Sequence, residues 1–233
     1  EGLIVFGRMR DENCLPTARA YVHAIRLHAK LGQLEHAEAL WRQALGQGMP
    51  HALMPEAYLA IISACAEAGN VAGAVGHFES LDQHLDATPG QSHFGAVLHA
   101  CAKANNGDIA LKFLSEMRAR YIPRDAVSYA SCMTALRGSP LRDVTELARL
   151  MVRDRVQPNE HLVEAHLGAV LGTCPEAFVQ NQMHSDLARA RLNAAAVILQ
   201  SAREQGVPLK ASVRRAEDTL ARLGIVGVGG RRC

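Results

Sequence analysis

Rings are scarce in this chain of 233 residues, yet they recur at a nearly fixed distance. Tyr21, Tyr58, Phe94 and Tyr129 are 37, 36 and 35 positions apart, and Val163 follows Tyr129 by 34. A period of this length restricts the possible folds once several columns share it. Six positions after the anchors stand Leu27, Ala64, Ala100 and Ala135. Sixteen after the first three stand Ala37, Ala74 and Ala110, and twenty after stand Trp41, Phe78 and Leu114. Eleven after come Gly32, Gly69 and Asn105, residue types that tolerate the left-handed turn at a helix end.

Each unit reads as two helices. Val97, Leu98 and Cys101 follow Phe94 at helical spacing, "ANNGD" interrupts, and Ile109, Phe113 and Met117 resume four apart. Pro123 ends the unit because it cannot continue a helix. Composition agrees: Ala and Leu dominate the apolar residues, aromatics are only 4%, and β-branched runs are nearly absent. A lone pair this small cannot bury its apolar side, whereas stacked pairs share one core. The expected fold is therefore all-α, an α-solenoid of about five repeats of stacked antiparallel helix pairs. Residues 1–16 are expected to hold the second helix of a truncated repeat, with Phe6 in the ring column, and 17–160 four repeats. Residues 161–210 are expected to form a degenerate repeat with an insertion at 173–187, and 211–233 a terminal capping helix and flexible tail. The chain starts at Glu1 in mid-pattern and is expected to be a piece of a longer protein.

Composition and spacing exclude several classes. A net charge of +2 is small for a strongly basic nucleic-acid binder, although a local basic groove is compatible with it. The six cysteines (14, 65, 101, 132, 174 and 233) have neither disulfide-framework nor zinc-site spacing, which points to a reducing compartment. Cys65 and Cys101 share one repeat position and are expected to be small buried packing residues. No apolar run reaches membrane-spanning length, so no membrane partner is expected. "HAE" at 36–38 lacks the Pro-Cys-x-x-Cys half of a deaminase signature. His161 and His166 are five apart and do not share a helical face. No Gly-x-Ser-x-Gly elbow or phosphate loop occurs. The expectation is a non-enzyme with no catalytic residues, metal or cofactor.

The unit "SHFGAVLHACAKANNGDIALKFLSEMRARYIPRD" closely resembles the pentatricopeptide repeat, through Phe94, Leu98, Cys101, Lys103, Ala104, Ala110, Leu111, Met117, Ile122 and Asp125. "RVQPNE" at 155–160 and "QGVPLK" at 205–210 look like further unit ends. The resemblance implies binding of single-stranded RNA along a groove lined by first helices, one nucleotide per repeat. It implies a place in a mitochondrion or chloroplast, in processing, stabilisation or translation of transcripts. The alternative is a non-enzymatic protein-interaction scaffold in an organelle ribosome or other ribonucleoprotein assembly, with its subunits as partners.

The resemblance also nominates residues. Base selection in the family rests on the residue after the ring anchor and one near the unit's end. The base-facing candidates are Val22, Leu59, Gly95 and Ala130 in the first column, and Asp125 and Asn159 in the second. Glu164 follows the last anchor, and Met54, Gly90 and Leu209 complete the second column. Gly95 and Ala130 offer no side-chain donor or acceptor, and no unit has a full selector pair, so weak sequence selectivity is expected. Lys30 and Lys103, nine after their anchors, and Arg137 are the candidate phosphate ligands; Glu67 interrupts that column.

Overall fold

A computed structural model describes residues 2–12, 14–83, 88–172 and 186–222. The described residues form α1 (Gly2–Asp11), α2 (Ala18–Lys30), α3 (Leu34–Gly46), α4 (Met54–Glu67), α5 (Val71–Gln83), α6 (Gln91–Ala104) and α7 (Gly107–Ala119). These are followed by α8 (Ala126–Ala135), α9 (Leu141–Arg153), α10 (Glu160–Leu171), α11 (Asp186–Glu204) and α12 (Ala211–Arg222). Among the described residues there is no strand. The expected insertion lies outside them except for positions 186–187, which open α11, and the tail 226–233 lies outside as well. The chain divides into two compact units, Glu1–Pro123 and Arg124–Cys233.

In the first unit α2–α3, α4–α5 and α6–α7 are helix pairs, each closed by a short turn whose chemistry explains the column of left-handed formers. The amide of Gln33 donates to the carbonyl of His28, that of Asn70 to Cys65 and that of Asn106 to Cys101. This is the bond that ties up an orphan carbonyl near the end of a helix. It requires one residue at positive φ, and Gly32 (68°), Gly69 (67°) and Asn105 (50°) supply it. Asn70 and Asn106 then start the second helices, accepting from the amides of Gly73 and Ile109. Gly73 is needed as well: a Cβ there would lie 2.8 Å from the Asn70 amide nitrogen and 3.0 Å from the Cys65 sulfur.

Within the first unit the pair has constant length; in α8–α9, from Tyr129 to Arg153, it is one residue shorter. From anchor to second-helix end is 25 residues in Tyr21–Gly46, Tyr58–Gln83 and Phe94–Ala119. From those ends to the next anchor the distance shrinks from 12 to 11 to 10 residues. The drifting period of the rings therefore arises in the connections between pairs.

Rings explain how successive pairs are glued. Phe6 of α1 meets Tyr21 edge-on at 5.3 Å, Trp41 meets Tyr58 at 4.7 Å, and Phe78 meets Phe94 at 4.7 Å. Each anchor thus packs against a ring from the helix before it, worth about 1 kcal/mol beyond the area it buries. The first helices also pack on each other, α2 on α4 and α4 on α6, while α3 wedges between α2 and α4 and α5 between α4 and α6. Ala60, Ala64 and Ala100 are buried, allowing close approach at these seams. The phenol of Tyr21 accepts from Gln47 at the end of its own second helix. Phe94 has no hydroxyl, and in the matching place Arg120 lies over its ring at 5.8 Å, clamped by Asp82 and Glu116.

In the second unit α8 packs with α9, and α10 against α8, α9 and α11; α12 lies on α10 and α11. Tyr129 donates to Asp154 at 2.5 Å, and Arg124 pairs with the same carboxylate. Burial first, and then this hydrogen bond, pushes the phenol above its ordinary pKa, so it remains a donor. Arg191 of α11 donates to the carbonyls of Val170, at the end of α10, and Ser139. α11 takes in the last two positions of the expected insertion, Asp186 and Leu187. The reason is that Ala188, Leu192, Ala195, Leu199 and Ala202 are all buried at spacings of three and four.

Candidate nucleic-acid interface

On a helix, positions four apart share a stripe. One, five and nine after each anchor, α2 carries Val22, Arg26 and Lys30; α4 carries Leu59, Ser63 and Glu67; α6 carries Gly95, His99 and Lys103. The stripes of these three adjacent helices form one continuous strip within the first unit. Its chemistry is graded. Val22 is buried, Leu59 and Gly95 are half-buried, and Lys30, Glu67 and Lys103 at the far end are exposed. Ser63 turns its hydroxyl back onto the carbonyl of Leu59. In the second unit Ala130 and Thr134 hold the same positions on α8, and Thr134 bonds back to the carbonyl of Ala130. In α4 and α8 the middle of the stripe thus turns its hydroxyl inward, whereas α2 and α6 carry Arg26 and His99 there.

The cationic margin is partly self-neutralised. Lys103 donates to Glu67 at 2.7 Å, and His99 stands 3.5 Å from the same carboxylate. The hydrogen bond from Lys103, opposed by some burial and helped by the charges of Lys103 and His99, holds the Glu67 carboxyl below its usual range. Arg26 pairs across helices with Glu56 at 3.1 Å. Arg26 and His99 were not singled out in the sequence, although their place four residues after a nominated position was visible there.

The unit-end candidates have a second task. Asp125 caps α8 by accepting from the amide and hydroxyl of Ser128, at 2.9 Å each. Asn159 caps α10 by accepting from the amide of Leu162 at 2.9 Å. Gly90 stands at the corresponding cap of α6, where His93 accepts its amide proton and holds the carbonyl of Pro55 through the other ring nitrogen. Asp and Asn are the residues a helix start demands on its own account. Glu164 and His161 both meet Lys210 at 2.8 Å. Arg137 lies with its guanidinium against Gly168 of α10, its Nε buried without an acceptor. It is thus packed into its own unit, in contrast to the exposed Lys30 and Lys103.

The family model of the pentatricopeptide repeat matches residues 92–122, the unit built by α6 and α7. That stretch is a pentatricopeptide repeat. The fold of the chain is that of solved pentatricopeptide-repeat proteins. The pentatricopeptide-repeat domain of protein-only RNase P 1 from Arabidopsis thaliana, crystallised with tRNA, superposes with a TM-score of 0.61 at 17% identity. That match covers 86% of this chain and 96% of the other. The pentatricopeptide repeat protein PPR10 from maize gives the same TM-score at 21% identity, covering 99% of this chain and 34% of its own. The chain therefore spans about a third of the maize protein's length. No curated protein matches its sequence. Among the described residues no helix is long and apolar enough to cross a membrane.

Proposed function

We propose that this chain binds single-stranded RNA along its first helices and acts, without catalysis of its own, in organelle RNA metabolism. Processing, stabilisation or translation of transcripts in a mitochondrion or chloroplast is the setting the family resemblance supports. The observation that carries the reading is the graded strip across α2, α4 and α6: apolar or bare backbone where bases would lie, and Lys30 and Lys103 where phosphates would run. Base faces stack on apolar surface whatever their identity, whereas hydrogen bonding to a base edge needs groups that Val22, Leu59, Gly95 and Ala130 lack. Binding is accordingly of weak sequence selectivity. That the related Arabidopsis domain was crystallised with tRNA supports RNA as the ligand class.

The test is binding to a random single-stranded RNA pool across a salt series. Changing Lys30 and Lys103 to Ala should weaken binding alike for all sequences and reduce the salt slope by about 0.7 for each phosphate no longer neutralised. In a parallel selection, Gly95→Asn should introduce a pyrimidine preference and Ala130→Thr an adenine preference, each several-fold for a hydrogen bond of about 1 kcal/mol. A flat profile in the variants, with affinity unchanged by the lysine substitutions, would discard RNA binding in favour of the scaffold reading. The buried Val22 and the capping tasks of Asp125 and Asn159 are the observations on the scaffold side.

A further inference from the structure

Three ligand-type side chains from three helices of the first unit meet beside the interhelical turn that Gly73 keeps open. Glu38 comes from α3, Cys65 from α4 and His77 from α5, and one ligand atom of each lies within 4.8 Å of the other two. Around a four-coordinate Zn²⁺, bonds of about 2.0 Å to oxygen or nitrogen and about 2.3 Å to sulfur place neighbouring ligand atoms about 3.3–3.6 Å apart. Glu38 and His77 are only half-buried, so rotations of their side chains can bring atoms that lie within 4.8 Å of one another to that spacing.

The neighbouring repeat supplies an internal comparison. Cys101 occupies the repeat position of Cys65, and both carbonyls close the same turn. Around Cys101 the places of Glu38 and His77 are held by Val75 and Phe113, with Phe113 buried among rings. Packing at this position therefore needs neither a carboxylate nor an imidazole. One repeat nevertheless has both, directed at a fully buried thiol.

We propose that Glu38, Cys65 and His77 bind a single divalent cation of the zinc class. Sulfur, imidazole nitrogen and carboxylate oxygen together select a borderline metal over magnesium or calcium. Binding forms the metal–sulfur bond as the thiol proton leaves to solvent, while His77 coordinates as the neutral ring. Two anionic ligands then balance the 2+ charge, which suits a half-buried place; three protein ligands leave one position for water. Without a cation a thiolate beside Glu38 is disfavoured. Burial, and then the charge of Glu38, push the Cys65 thiol up to about 11. Burial keeps His77 below its ordinary value and thus neutral, the form that donates a lone pair. Trp41 meets the His77 ring nearly at right angles at 5.8 Å and restricts its tilt.

Co²⁺ is the probe, because a cobalt–thiolate bond gives a charge-transfer band and a four-coordinate ion gives intense visible bands. Titration of the full chain should saturate these bands at one equivalent, and Zn²⁺ should displace them. Cys65→Ala should abolish them. His77→Phe and Glu38→Val install the residues the next repeat carries at these places, so the fold tolerates them. Each should weaken binding at least about 100-fold, the upper end of what altering a residue behind the ligands costs. Cys101→Ala should leave the bands unchanged. Circular dichroism of each variant confirms folding, and bands that persist in folded His77→Phe or Cys65→Ala overturn the proposal. Absence of a thiolate band in the wild-type chain overturns it too.

Discussion

Asp154 serves two side chains at once, and removing it tests the second unit most sharply. Its carboxylate accepts from Tyr129 and pairs with Arg124, both at 2.5 Å. The Arg124 side chain is 9% exposed and that of Asp154 17%. Asp154→Ala leaves a nearly buried guanidinium without its counter-charge and a buried phenol without its acceptor. Breaking a buried pair from one side costs about 3–5 kcal/mol. Asp154 retains some access to water, so the lower end, about 3 kcal/mol, is expected. Asp154→Asn keeps an acceptor for Tyr129 and should cost about half as much. Adding Arg124→Met to Asp154→Ala should recover part of the loss, because no charge then remains buried. Urea denaturation followed by circular dichroism measures the change. Amide exchange over α8 and α9 shows whether this unit loosens separately, as repeat arrays can. A loss below about 1 kcal/mol for Asp154→Ala, or no recovery with Met, would refute the burial argument.

Three further outcomes are expected. Ala100→Glu places a charge in the fully closed seam of α6 and should cost about 3 kcal/mol, read as a lowered melting midpoint. His166 on α10 is held by burial at about 4, so on acidification the unfolded chain takes up a proton that the folded one refuses. Stability should therefore fall as pH drops from about 6.5 towards 4, by about 2 kcal/mol given the partial exposure of the residue, and His166→Leu should flatten that limb of the curve. Glu67→Gln frees Lys103 and should strengthen RNA binding several-fold with a steeper salt slope, measured in the same titrations as the lysine variants. The stability contributed by the Lys103–Glu67 pair itself is small at this exposure; it is present above pH 4.5 and is lost as pH falls through the depressed carboxyl pKa.

Much of the fold was legible because helix pairs advertise themselves locally. Glycine or asparagine at the left-handed turn, alanine at the seams and rings at the anchors are each required by nearby backbone or by a neighbour one period away. The Tyr129–Asp154–Arg124 cluster was not legible. Nothing in the spacing of a tyrosine, an aspartate and an arginine says that they share a buried place. The candidate interface was legible by position more than by role. Lys30 and Lys103 were found as a column, but only the folded chain places Glu67 against Lys103. Asp125 and Asn159 show why residue type misleads at a helix start: the same oxygen that would read a base also satisfies an amide. α11 reaches two residues into the expected insertion, because the helical apolar spacing that starts at Ala188 is preceded by the opening of the helix at Asp186.

The 25-residue pair of the first unit and the shrinking connection between its pairs bear on how such a chain can change length. One residue added inside a helix turns everything beyond it by about 100° and moves the buried rings and alanines to the wrong side. One residue added between pairs turns nothing, since the next helix is re-seated by its own ring. Length changes during divergence should accordingly collect at those joints, and an arm of any size inserted there would leave each pair's packing untouched. The molecule is built like a chain of rigid links, in which the links are fixed parts and only the joints are adjustable.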